Sequence, residues 1–183
     1  MVSCPCTAPS SLARPPPAPA DRDVDAHQVI VQGMQSAGLT VEPLGEGRWM
    51  TMLAGEWKRT LPVFIRLDER ALHVTALLCG KPDEGHEDVY RLLLQRNQRP
   101  APVHFALDDA GDVVLVGQVP RTALDADAFD RVLGSLLDQA DTVFNAVLRA
   151  GFASYIDAEQ RWRAAHGMPP NPVTLAPPRD PST

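Results

Sequence analysis

Apolar positions along this chain recur with two periods, and each switch from one to the other marks an element. From Val24 to Leu39 the set Val24, His27, Ile30, Val31, Met34 and Ala37 steps by three and four residues, which predicts a helix with Asp23 or Asp25 as cap and Gly38 as terminator. Leu39 to Leu44 then begins an extended region, Gly45-Glu46-Gly47 interrupts it, and Arg48 to Leu53 resumes it. In Trp57 to Leu67 the residues Leu61, Val63, Ile65 and Leu67 alternate with Thr60, Pro62, Phe64 and Arg66, the two-residue period of a strand. Pro62 has no backbone donor, so this strand is expected near a sheet edge or at a bulge. After Asp68-Glu69-Arg70, Leu72, Val74, Ala76 and Leu78 share one face of a third strand, completing an antiparallel meander. Glu87 to Arg99 reads as the next helix, ended by Pro100. Val103, Phe105 and Leu107, a turn at Asp108 to Gly111, and Asp112 to Val119 form a hairpin.

The longest pattern follows, from about Thr122 to Phe152. Phe129, Val132, Leu133, Leu136, Leu137, Ala140, Val143, Phe144, Val147 and Leu148 form one broad stripe, so this helix should cover the core. Thr122 with Asp125 has capping-box spacing, and Gly151 followed by Phe152 suggests a left-handed Schellman ending. Asp157 to His166 is a short amphipathic piece carrying Trp162.

Composition narrows the class. The chain has 183 residues, 44% hydrophobic and 5% aromatic, which suits one aliphatic core. Residues 1–23, with Cys4, Cys6 and a Pro-rich run, are expected to be a disordered leader; 24–166 a single α+β domain; and 167–183 a Pro-rich tail. Net charge is −6, so there is no basic field for phosphates, and nucleic acid is not an expected partner. Three cysteines form no even framework, and neither a signal peptide nor a run of 18 apolar residues is present. A cytoplasmic protein without a membrane segment is expected.

The predicted order is therefore α-β-β-β-α-β-β-α, an antiparallel sheet with helices packed on it. On Arg48 to Leu53, Leu61 to Leu67 with Leu72 to Leu78, Val89 to Asn97, and above all Phe105-Ala106-Leu107-Asp108 through Val113-Val114-Leu115-Val116-Gly117 into the long helix, the chain resembles the YbjN family of bacterial sensory transduction regulators. That resemblance covers roughly residues 24–152. It implies a two-layer fold like that of the type III secretion chaperones, often dimeric, acting by binding protein.

Chemistry-bearing residues are sparse. Five histidines fall in five different predicted elements; His73 and His104, both on strands, could share a sheet face. Asp125, Asp127, Asp130, Asp138 and Asp141 lie along a helix rather than round a cation-binding loop, and read as caps and a solvated face. Cys79 beside Lys81 is the other candidate for reactivity, as a nucleophile if the lysine lowers its pKa, or as a buried strand-end thiol. No common nucleophile, zinc, phosphate or dinucleotide signature occurs. For protein contact the candidates are Trp49, Trp57 and Trp162, because tryptophan buries a large area at little entropy cost, and Tyr90, Arg91, Arg96 and Arg99, which could pair with an acidic segment. The plainer reading puts Trp49 in the core, the other tryptophans at its rim and the arginines on a solvated helix face. The expected function is a non-enzymatic, chaperone-like or regulatory protein-binding module that forms a homodimer and uses no cofactor. A small enzyme or ligand-binding domain using Cys79 or the His73/His104 pair is the alternative.

Overall fold

The computed structural model describes residues 19–171; Cys4 and Cys6, most of the expected leader and most of the expected tail lie outside these. The elements are α1 (Pro19–Ser36), β1 (Glu42–Gly45), β2 (Arg48–Leu53), β3 (Leu61–Leu67), β4 (Ala71–Cys79), α2 (His86–Arg96), β5 (Val103–Leu107), β6 (Val113–Pro120), α3 (Ala126–Gly151) and α4 (Ala153–Ala165). The predicted order is observed. The first extended stretch folds back at Gly45 to Gly47 into the β1–β2 hairpin, and the piece carrying Trp162 forms α4. All six strands pair antiparallel in the order β1-β2-β3-β4-β6-β5.

Alternation along the strands separates two faces. Trp49 opposite Ile65, Thr51 opposite Val63 and Leu53 opposite Leu61 point inward, as do Leu72, Val74, Ala76 and Leu115 in the next strands. Met50 opposite Phe64 and Met52 opposite Pro62 point outward. Pro62 does not sit in an edge strand, because β3 lies between β2 and β4. Pairing to β4 begins only at Val63, so the proline stands where no ladder bond is required of it.

Against the inner face lies the stripe of α3, with Phe129, Val132, Leu136, Ala140, Val143 and Val147 buried. Ile30 and Met34 of α1 and Val89 and Leu93 of α2 complete the core. The cap of α3 is Asp125, whose side chain accepts from the Ala128 N–H at 2.7 Å; Thr122 lies in a preceding 3-10 turn, so the expected capping box does not form. Nor is Gly151 a left-handed terminator. It is helical and buried, and a Cβ there would stand 3.0 Å from Pro82 and 3.3 Å from Val89. Its carbonyl accepts from the N–H groups of Asp83 and Glu84, and Glu84 in turn accepts from the N–H of Ser154 at 2.6 Å, capping the start of α4.

Two other glycines differ in what surrounds them. At Gly33 in α1 an added Cβ would come within 2.5 Å of the Phe129 ring, so α1 and α3 meet there only because the side chain is hydrogen. At Gly134, inside α3 and exposed, an added Cβ meets nothing within 4 Å. A helix-interior glycine costs about 0.5–1 kcal/mol against alanine, whereas overpacking costs about 1–3 kcal/mol. Gly134→Ala should therefore stabilise the fold by about 0.5–1 kcal/mol and Gly33→Ala destabilise it by about 1–3 kcal/mol, read from urea midpoints; shifts of the same sign would contradict this packing.

The β3–β4 turn is organised by Asp68. Its Oδ1 accepts from the N–H groups of Arg70 and Ala71, both at 2.9 Å, and its Oδ2 meets Arg66 at 3.0 Å and His73 at 2.9 Å. The two backbone donors above all, with His73 behind them, hold this carboxyl at about 2, below its ordinary 3.8. A carboxylate whose pKa is depressed on folding contributes stability present above the unfolded value and lost as pH falls from 3.8 through about 2. Between pH 5 and pH 2.5 the urea midpoint of the native chain should fall further than that of Asp68→Asn; equal falls would mean that Asp68 carries none of the acid sensitivity.

Candidate functional site

The outer sheet face is where apolar side chains meet solvent. Leu44, Met52, Phe64 and Val116 are 49%, 45%, 44% and 36% exposed, although each lies in or beside regular strand. Large apolar groups exposed together on a sheet mark a contact surface more often than a chance feature. Between Leu44, Phe64 and Val116 the face hollows into a shallow groove of about 460 Å³, bordered by Arg48, Arg66 and His73. Its rim is therefore basic on a chain of net charge −6.

Met52 also reaches a second, larger groove of about 700 Å³ where the end of α1, the end of β2 and α3 converge. Leu39, Leu53, Leu133 and Leu137 give this groove an apolar lining, with Gly134 and Asp130 on the α3 side. The two grooves differ in charge: Arg48, Arg66 and His73 border the first, and Asp130 lines the second.

Strand edges offer less. At the β5 edge the carboxamide of Asn97 accepts from the Phe105 N–H at 2.8 Å and donates to the Phe105 carbonyl at 3.0 Å, so a side chain occupies the backbone groups an added strand would use. At the other edge β1 has four residues, includes Pro43 and carries a bulge between Pro43 and Gly45.

The seven aromatic and basic candidates do not converge. Trp49 is 4% exposed, stacked edge-on against His27 of α1 at 4.9 Å, and is a core residue without surface to offer. Trp57 is half-buried in the β2–β3 loop, with its indole Nε1 enclosed and without a hydrogen-bond partner. Arg91 is exposed and pairs within its own helix with Glu87 and Asp88. Arg96 turns inward: its side chain is 9% exposed, its Nε donates to Gln139 at 2.8 Å and its Nη2 lies 3.7 Å from Asp138. It braces α2 against α3. Arg99 and Tyr90 are half-buried, the latter edge-on to His86 at 6.0 Å. Trp162 is 53% exposed on α4, its ring 4.5 Å from that of His166.

Reactive groups fare no better. Burial pushes the Cys79 thiol up to about 11, with Asp112 adding to the effect and Lys58 only partly opposing it, so the nucleophilic thiolate is disfavoured at neutral pH. Burial also lowers the pKa of Lys58, whose ammonium lies 5.0 Å from the centroid of the Phe144 ring. His73 and His104 do point to the same outer face, but β6 separates their strands, and the cross-strand partners are Gln118 and Val116 respectively. At about 4.8 Å per strand and about 3.4 Å per residue, two strands and two residues put them roughly 12 Å apart, too far to act on one atom. Among the described residues no three His, Cys, Asp or Glu side chains are grouped to hold a metal ion.

Sequence reasoning missed Asp141. Its Oδ2 accepts from the Glu56 N–H at 2.7 Å, and its Oδ1 from those of Trp57 at 3.1 Å and Lys58 at 2.8 Å. One carboxylate thus gathers three successive amides of the β2–β3 loop. Asn97 was likewise read only as part of a helix.

Comparison with known proteins fits this architecture. A chain of the HopA1-SchA chaperone-effector complex superposes with a TM-score of 0.54 at 14% identity, over 70% of this chain and 98% of that one, a likeness of fold. A chain of the ExoU-SpcU complex from the type III secretion system of Pseudomonas aeruginosa aligns with a TM-score of 0.47 at 23% identity, over 62% of this chain and 93% of that one. An uncharacterised protein of Mycobacterium tuberculosis is 47% identical over 115 residues, 63% of this chain and 63% of that protein's length. One from Mycobacterium leprae is 40% identical over 147 residues, 78% of this chain and 80% of the other. The profile of YbjN, described as "Putative bacterial sensory transduction regulator", matches residues 27–149. With its chaperone-like two-layer fold and that match, the chain belongs to the YbjN family.

Proposed function

We propose that this protein is a non-enzymatic binding module, chaperone-like or regulatory, which holds a segment of another protein on its outer sheet face in the bacterial cytoplasm. The observation that carries this reading is the apolar outer face itself, with Phe64 and Met52 projecting from central and near-central strands at 44% and 45% exposure. The four-residue, proline-bearing β1 edge and the Asn97 clamp on β5 favour capture on the face over strand addition. The basic rim of Arg48, Arg66 and His73 suits a segment whose apolar side chains are flanked by acidic ones. The chaperone-like neighbour, solved as a chaperone-effector complex, supports protein capture by analogy of fold alone. The raised Cys79 pKa argues against the enzymatic alternative.

Affinity capture from a mycobacterial cytoplasmic extract tests the reading. Proteins retained by the native chain should be depleted at least tenfold by Phe64→Glu, a change at an exposed position that should leave the circular dichroism spectrum and unfolding midpoint intact. Identical retention by both forms would remove the outer face from the function.

The homodimer belongs to the same reading. We assign its contact to α4, a choice supported by Tyr155 and Trp162, which are seven residues apart, so on one helix face, and are 65% and 53% exposed. Sedimentation equilibrium should find a dimer for the native chain and a mainly monomeric Trp162→Glu; a native monomer, or a dimer indifferent to that change, would refute it.

A further inference from the structure

The groove between α1, β2 and α3 has features that the fold does not require. Gly134 lies about a third of the way along a 26-residue helix, yet among the described residues nothing approaches it: an added Cβ would meet no atom within 4 Å. The helix's other glycine, Gly151, is explained by a neighbour, with Pro82 at 3.0 Å from such a Cβ. Alanine would serve the helix better at Gly134, so a residue without a side chain leaves clearance on the open side of the groove rather than inside the protein.

The charged residue that lines the groove, Asp130, is acidic. Asp127, Asp130, Gly134, Asp138 and Asp141 follow one another at steps of three and four residues and so occupy one face of α3. Asp141 is committed to the β2–β3 loop, and Asp138 lies 3.7 Å from Arg96. Asp127 and Asp130 remain exposed, and Asp130 lines the groove. The facing wall adds to the effect: α1 ends there at Ser36, with no basic residue in its last turn to offset the negative end of its dipole. Arg131, the nearest cation along α3, does not line the groove. Apolar walls from Leu39, Met52, Leu53, Leu133 and Leu137 complete it.

We infer that this groove is a second peptide seat, built for a segment that interleaves Lys or Arg with aliphatic residues and passes its main chain over Gly134. The inference rests on the reading of the chain as a protein-binding module and adds to it a seat of opposite charge to the basic outer face.

A phage-displayed library of random dodecapeptides, panned against the full chain at low salt, tests this directly, with recovered sequences synthesised and their affinities measured. Lys or Arg interleaved with Leu, Ile or Val is expected. Gly134→Leu should weaken these peptides at least tenfold while its unfolding midpoint stays at or above the native value. Asp130→Asn should weaken them severalfold and flatten their salt dependence. Gly134→Ala serves as the fold control. Recovery of no peptides, an acidic consensus, or unchanged affinity for Gly134→Leu would overturn the inference. Peptides lost with Phe64→Glu yet indifferent to Gly134→Leu would overturn it while leaving the outer-face reading intact.

Discussion

One long helix cannot cover both sides of a six-stranded sheet, and most of what is distinctive in this protein follows from that constraint. The stripe of α3 is broad enough to bury the inner face, and α1 and α2 close its flanks. Each fully buried Leu, Ile, Val or Phe contributes about 1.5–3 kcal/mol, so stabilisation is concentrated in that single interface. The outer surface of the sheet nevertheless carries large apolar residues among its polar ones. Phe64, Met50 and Met52 stand outward in register with one another, where solvation alone would favour Thr, Lys or Glu. A two-layer fold that keeps apolar groups on its uncovered layer incurs an aggregation hazard, which is understandable where the layer is used.

The polar side chains reveal how the fold limits that hazard. Asn97 closes the middle of the β5 edge, and β1 is short, bulged and proline-bearing, so contact is directed to the face rather than the rim. Asp141 holds the β2–β3 loop against α3, and Glu84 joins the loop before α2 to the start of α4. These bonds from a carboxylate to backbone amides fix loops that have few apolar contacts of their own. Arg96 does similar work between α2 and α3. Removing Gln139 or Asp138 would leave a largely buried guanidinium with fewer partners, a costlier change than losing the surface pairs of Arg91.

How far the sequence could be read depended on the range of each interaction. Periodicity located α3, the strand alternation and the order of elements because these depend on residues a few positions apart. The misreadings arose where distant chain segments meet. Gly151 looked like a terminator until Pro82 and Val89 were found against it, and Thr122 looked like a cap because its spacing from Asp125 is right, although Asp125 itself performs that role. Asp141 looked like one more solvated aspartate, since its partners are 83 to 85 residues away in sequence. The arginines of α2 were grouped by sequence proximity, but helical geometry sends Arg91 to solvent and Arg96 into the α3 contact. Phe64 stands in the solvent-facing phase of its strand, and its exposure was not singled out from the alternation.

The two grooves differ in the charge at their borders. On a chain of net charge −6 a uniformly acidic surface would repel acidic partners everywhere, yet Arg48, Arg66 and His73 gather at the outer groove while Asp130 of α3 lines the other. Asp68 restrains the basic side by pairing with Arg66 and His73. Exposed pairs of this kind contribute little to stability, about 0–1 kcal/mol each. Their larger effect would be on encounter, since a charged rim steers oppositely charged segments toward it and repels those of like charge.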